Sequence, residues 1–129
     1  MKPLQKLILV FMAISLPALA LDIYDEVSSA IRSGDARQVA SYFGSSIDLT
    51  ILNREDMYSK AQAELIVKDF FSKHPPKSFI LLHKGSSKEN TVYGIGNLTT
   101  TSGKVFRTSF FLKMSGGRYV IQELRFETE

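Results

Sequence analysis

From Asp22 onward the apolar positions recur first at helical and then at alternating spacing. Ala63, Ile66, Val67, Phe70 and Phe71 fall at i, i+3, i+4, i+7 and i+8, a single apolar stripe over Ser59 to His74. Ser59 with Gln62 three residues on has the form of a capping box. Lys73 and His74 put positive charge in the last turn, and Pro75-Pro76 ends the helix. A stripe with two adjacent Phe requires a broad apolar partner such as a sheet face. Upstream, Asp22 predicts the N-cap of a first helix, with Ile23, Val27, Ala30 and Ile31 on one face and Gly34 as its stop. Asp35 then caps a shorter helix whose Val39, Ala40 and Phe43 point one way, ending at Gly44.

Ile47, Leu49 and Ile51 alternate with Ser46, Asp48 and Thr50, which predicts a half-buried strand over Ser46 to Leu52. Asn53 to Tyr58 reads as a polar connection into the long helix. After the two prolines the period stays at two. Strands are predicted over Ser78 to Lys84, Thr91 to Thr100, Lys104 to Met114 and Arg118 to Glu127, separated by Gly- and Ser-rich turns. A two-residue turn at Ser102-Gly103 pairs Asn97 with Thr108 and Ile95 with Phe110. A three-residue loop at Ser115-Gly116-Gly117 pairs Phe110 with Gln122 and Thr108 with Leu124. Both pairings put Tyr93, Ile95, Asn97, Phe106, Thr108, Phe110, Leu112, Val120, Gln122, Leu124 and Phe126 on one buried face. Arg107, Ser109, Lys113, Glu123 and Arg125 fall on the other, where Val92, Leu98 and Phe111 interrupt the charge.

The first twenty residues have a different character. Lys2 and Lys6 precede the apolar run Leu7 to Leu16, and Pro17 leads to Ala18-Leu19-Ala20, a small-x-small cleavage site. The run is shorter than the ~18–20 apolar residues that span a bilayer, so residues 1–20 are expected to be a cleaved signal peptide. Residues 21–129 then form a single exported domain, periplasmic or extracellular, with no transmembrane segment after cleavage. Without Lys2 and Lys6, fourteen basic side chains face thirteen acidic ones, so the net charge falls from +3 to +1. That balance, with no interleaved surface aromatics, argues against a nucleic-acid partner. The chain has no cysteine, which excludes disulfides, thiolate metal sites and a cysteine nucleophile.

The segments GDARQVASYF (Gly34 to Phe43), YSKAQAELIVKDFF (Tyr58 to Phe71), FILLHKG (Phe79 to Gly85), YGIGNLTT (Tyr93 to Thr100) and IQELRFE (Ile121 to Glu127) resemble the domain-of-unknown-function 4783 family. These are small exported proteins of Bacteroidetes, placed in the nuclear-transport-factor-2-like, or cystatin-like, superfamily. The resemblance spans residues 22–127. It implies an α+β cone, in which a curved antiparallel sheet wraps a long central helix preceded by two N-terminal helices, often leaving a cavity at the wide end. It implies no activity. Relatives across the superfamily include isomerases, dehydratases, ligand carriers and dimerisation modules, so the fold alone does not choose.

An enzyme on this scaffold would work by acid–base chemistry in the cavity, and the expected inner face offers no carboxylate. His83 is the titratable candidate, with Tyr93 as hydrogen-bond donor. Its strand can turn either Phe79, Leu81 and His83 inward, or Ile80 and Leu82. A lone histidine without a carboxylate partner is more often structural, and His74 beside Pro75 reads as a solvated helix end. Two separated histidines do not form a metal site, and no cofactor is expected. Asn97, Thr108 and Gln122 on an apolar face must be satisfied, by one another, backbone and water, or by a small ligand in a pocket lined by Tyr42, Phe70 and Tyr93. The leading reading is a non-catalytic module for a small apolar or amphipathic ligand or a protein partner, with a homodimer through the outer sheet face possible in geometry. The alternatives are a cavity enzyme of isomerase or dehydratase type using His83, and a structural dimeric accessory of an envelope assembly.

Overall fold

The computed structural model describes residues 22–87 and 90–129; the expected signal peptide lies outside the described residues. The Asp22 carboxylate accepts the Tyr24 N–H and opens α1 (Ile23–Ser33), which Gly34 closes at φ 73°. Asp35 accepts from Arg37 and Gln38 to start α2 (Ala36–Ala40), shorter than the expected helix. Phe43 leaves the helix and begins β1 (Phe43–Ile51), where its side chain is buried. β2 follows (Arg54–Ser59), then α3 (Lys60–Lys73), with the Ser59–Gln62 capping box formed as the sequence predicts. Four strands complete the chain: β3 (Pro76–Ser87), β4 (Thr91–Thr100), β5 (Val105–Ser115) and β6 (Arg118–Thr128).

The strands form an open, curved six-stranded sheet in the order β2-β1-β6-β5-β4-β3. All neighbours are antiparallel except β1 and β6, which run parallel with Leu49 opposite Leu124. The three helices cover one face. There Phe70 and Phe71 of α3 meet Phe106 and Phe126. Ile31, Ile47, Leu49, Leu98, Leu112 and Leu124 complete a core with no exposed surface.

Two turns differ from the expected ones, and they change the sheet's faces. Thr100 N–H donates to the Lys104 carbonyl at 2.9 Å, so the β4–β5 loop holds three residues, with Gly103 at φ 92°. Leu98 therefore pairs with Phe106, and Asn97 with Arg107. A one-residue shift reverses the whole strand. Val92 and Leu98 turn inward, while Tyr93, Ile95 and Asn97 turn outward. Conversely, Gly116 and Gly117, both at positive φ, make a two-residue hairpin closed by Ser115 and Arg118. A bulge at Gln122 then restores the expected parity, so Leu124 and Phe126 still face the core.

β2 occupies what the sequence presents as a polar connection. It is an edge strand whose residues are exposed except half-buried Tyr58, so it lacks the apolar alternation of an interior strand. Gly94 and Gly96 lie on the inner face of β4, where a side chain at Gly96 would collide with the Ile80 carbonyl and the Phe79 ring. They let β3 and the core aromatics approach closely.

Candidate functional site

Between the β1–β2 hairpin and the C-terminal half of α3 lies an open groove of about 630 Å³. Its wall on the sheet side is Leu49, Ile51 and Leu52 with Arg54 and Tyr58; α3 supplies Leu65, Ile66, Asp69, Phe70 and Lys73, and His74 closes one end. The alternation of β2 puts Arg54 and Tyr58 on the same face, opposite Ile51 and Ile47. Phe70 forms part of the floor, stacked on Phe126 at 4.7 Å between ring centroids. Leu52 is held at φ 59°, a conformation costing a leucine about 1–3 kcal/mol. Its N–H donates to the Phe126 carbonyl at 2.7 Å and its side chain packs on the core, which hold it there.

The polar groups of the groove differ in how they are satisfied. Asp69 and Lys73 pair across one helical turn at 3.1 Å. The Arg54 guanidinium, the Tyr58 hydroxyl and the His74 imidazole have no hydrogen bond or ion pair among the described residues. His74 is half-buried rather than a solvated helix end, with Phe70 and Phe106 at 5.1 Å and 4.8 Å from its ring. Burial first, then Lys104 and Lys73, lower it from the ordinary imidazole value.

Of the pocket residues expected from sequence, only Phe70 lines this groove, together with His74, which the sequence presents as a solvated helix end. Thr108 does face the core, fully buried, but its hydroxyl donates to the Phe106 carbonyl at 3.2 Å and is satisfied there. Tyr93 and Asn97 lie on the outer face because of the β4 register, and Gln122 is exposed at its bulge. Tyr42 donates to Glu26 at 3.2 Å in a separate shallow depression; burial and Glu26 raise its hydroxyl above the ordinary phenol range. His83 is exposed opposite Ile95, beyond a β3 bulge, on the face away from the helices. It is not positioned as a base within a cavity. Arg54, Tyr58, Leu65 and His74 were not legible as a group, although Leu65 off the stripe of α3 and the alternation of Arg54, Asp56 and Tyr58 are visible in the sequence.

On the opposite face, Asp48, Glu55 and Glu123 bring carboxylate oxygens within 4.8 Å of one another, and these could ligate a cation. Arg125 donates to Glu123 at 3.0 Å and Glu127 at 3.1 Å beside them, offsetting part of the charge. A proton shared with Asp48, then repulsion from Asp48, raises Glu55 above the usual carboxylate range.

Residues 24–127 match the family model described as Domain of unknown function (DUF4783). A DUF4783 family protein from Bacteroides fragilis YCH46 is 30% identical, with a TM-score of 0.76 over 84% of this chain and 100% of that one. One from Bacteroides uniformis ATCC 8492 is 29% identical, with a TM-score of 0.77 over 84% of this chain and 98% of that one. An NTF2-like protein of unknown function from Cytophaga hutchinsonii ATCC 33406 shares the fold at 12% identity, with a TM-score of 0.57 over 81% of this chain and 85% of that one. No curated protein matches the sequence. The chain belongs to the DUF4783 family and carries the NTF2-like fold.

Proposed function

We propose that this protein is a non-catalytic module that binds a small amphipathic ligand in the groove between the β1–β2 hairpin and α3. The observation that carries this reading is the groove itself: about 630 Å³, with an apolar floor and a few polar groups at its margin. That is the volume and character of a small-molecule site. Binding is favoured over acid–base chemistry because Asp69, the carboxylate of the groove, is engaged by Lys73 rather than by His74. Native mass spectrometry of gently purified protein tests it. A retained adduct of a few hundred daltons that Leu65→Ser removes supports the groove; an adduct indifferent to that change contradicts it.

Residues 1–20 carry the basic start, apolar run and Ala18-Leu19-Ala20 of a signal peptide, which supports export to the periplasm or beyond. The intact mass from the same spectrum checks this, since cleavage leaves a chain starting at Leu21.

A second reading, a homodimer through the outer sheet face, is favoured by Ile80 and Tyr93, exposed beside half-buried Ile95 and Phe111. Light scattering after size exclusion tests it: a dimer that Tyr93→Lys dissociates supports the face, and a monomer at high concentration rejects it.

A further inference from the structure

The groove is not electrically neutral in its unpaired groups, and that imbalance selects a ligand. Among the described residues the one carboxylate that lines it, Asp69, is bonded to Lys73, whereas the Arg54 guanidinium at the hairpin end has no partner. Asp56, between Arg54 and Tyr58 on the same side of β2, does not line the groove, and its carboxylate accepts the Met57 N–H at 2.8 Å. The Tyr58 hydroxyl adds an unpaired hydrogen-bond group on Arg54's own face of β2. At the other extreme of polarity, Leu65 is 66% exposed on α3 and prolongs the apolar floor of Ile66 and Phe70 toward solvent. A free guanidinium matches a carboxylate bidentately, and an exposed leucine beside an apolar floor suits an alkyl or aryl tail.

We propose that the groove takes an amphipathic monoanion, an apolar carboxylic acid whose carboxylate meets Arg54 while its tail lies along Leu52, Leu65, Ile66 and Phe70. This rests on the reading of the groove as a small-ligand site. Leu52, kept at positive φ, lines the groove beside its Arg54 end and packs on the core. The charge assignment disfavours a cationic head, because the carboxylate that would receive one is bonded to Lys73.

Calorimetric titration of the processed protein, residues 21–129, with decanoate and decyltrimethylammonium below their micelle concentrations and decan-1-ol below its solubility limit separates the anion assignment from the groove reading. Decanoate is expected to bind at least tenfold more tightly than decan-1-ol, with an affinity that falls as salt is raised. Arg54→Gln is expected to bring decanoate down to the level of the alcohol, and Leu65→Ser to weaken both. Amide shifts on titration are expected over residues 52–58 and 65–74. Equal affinity for decanoate and decan-1-ol, tighter binding of the cation, or a decanoate affinity unmoved by Arg54→Gln would overturn the anion assignment and leave the groove reading intact. Failure of all three probes to bind, or shifts confined to the outer sheet face, would overturn both.

Discussion

Phe70 stacks on Phe126 with ring centroids 4.7 Å apart and planes inclined at 29°, while its edge contact with Phe106 lies at 5.1 Å. One α3 side chain thus fastens the helix to two adjacent strands and also floors the groove. Phe70→Ala is expected to cost about 3–5 kcal/mol, because the ring is buried against Phe106 and Phe126. Urea unfolding measures it, and a loss under about 1 kcal/mol would show that the ring is not packed as described.

Gly96 lies on the inner face of β4, where an added methyl meets the Ile80 backbone rather than a movable side chain. Gly96→Ala should destabilise by about 1–3 kcal/mol and loosen the edge strand β3 first. Hydrogen exchange resolves this: protection of the β3–β4 ladder should fall while that of β1–β6 is retained.

Glu55 is raised by its contact with Asp48, so its protonated form favours the fold. That contribution is present below the ordinary carboxylate range and is lost as pH rises through the raised folded value. Glu55→Gln should therefore match the wild type in acid and exceed it progressively toward neutral pH. Denaturation midpoints of both proteins from about pH 4 to about pH 7 compare them, and parallel curves would reject the coupling.

His74 has the opposite sign. Burial and the neighbouring lysines lower it from 6.5, so its contribution to stability is present above that value and is lost as pH falls through the folded one. An NMR titration of its ring protons should give a midpoint below 6.5. His74→Gln should flatten the stability profile in the same window. A midpoint at or above 6.5 would place the ring in solvent instead of against Phe70 and Phe106.

The sequence alone determined most local features. The caps at Asp22, Asp35 and Ser59, the stop at Gly34, the long helix and the four late strands depend on residues close in the chain, and all are present, with β3 extending beyond the expected Ser78 to Lys84 at both ends. The family and its NTF2-like fold followed from the same segments. Tertiary structure decided the faces and the groove. A Gly-containing turn of two or three residues is nearly degenerate in sequence, yet the choice inverts every side chain on a strand, and it carried Tyr93 and Asn97 outward. The bulge that exposes Gln122 has no local signal, because it arises where β6 must serve both β5 and the parallel β1. Edge strand β2 was hidden for a related reason: a strand with one neighbour and little burial has no need of apolar alternation. Arg54, Tyr58, Leu65 and His74 come to line one groove only once β2 folds back along β1 and α3 packs beside it, so their grouping is a property of long-range packing rather than of spacing.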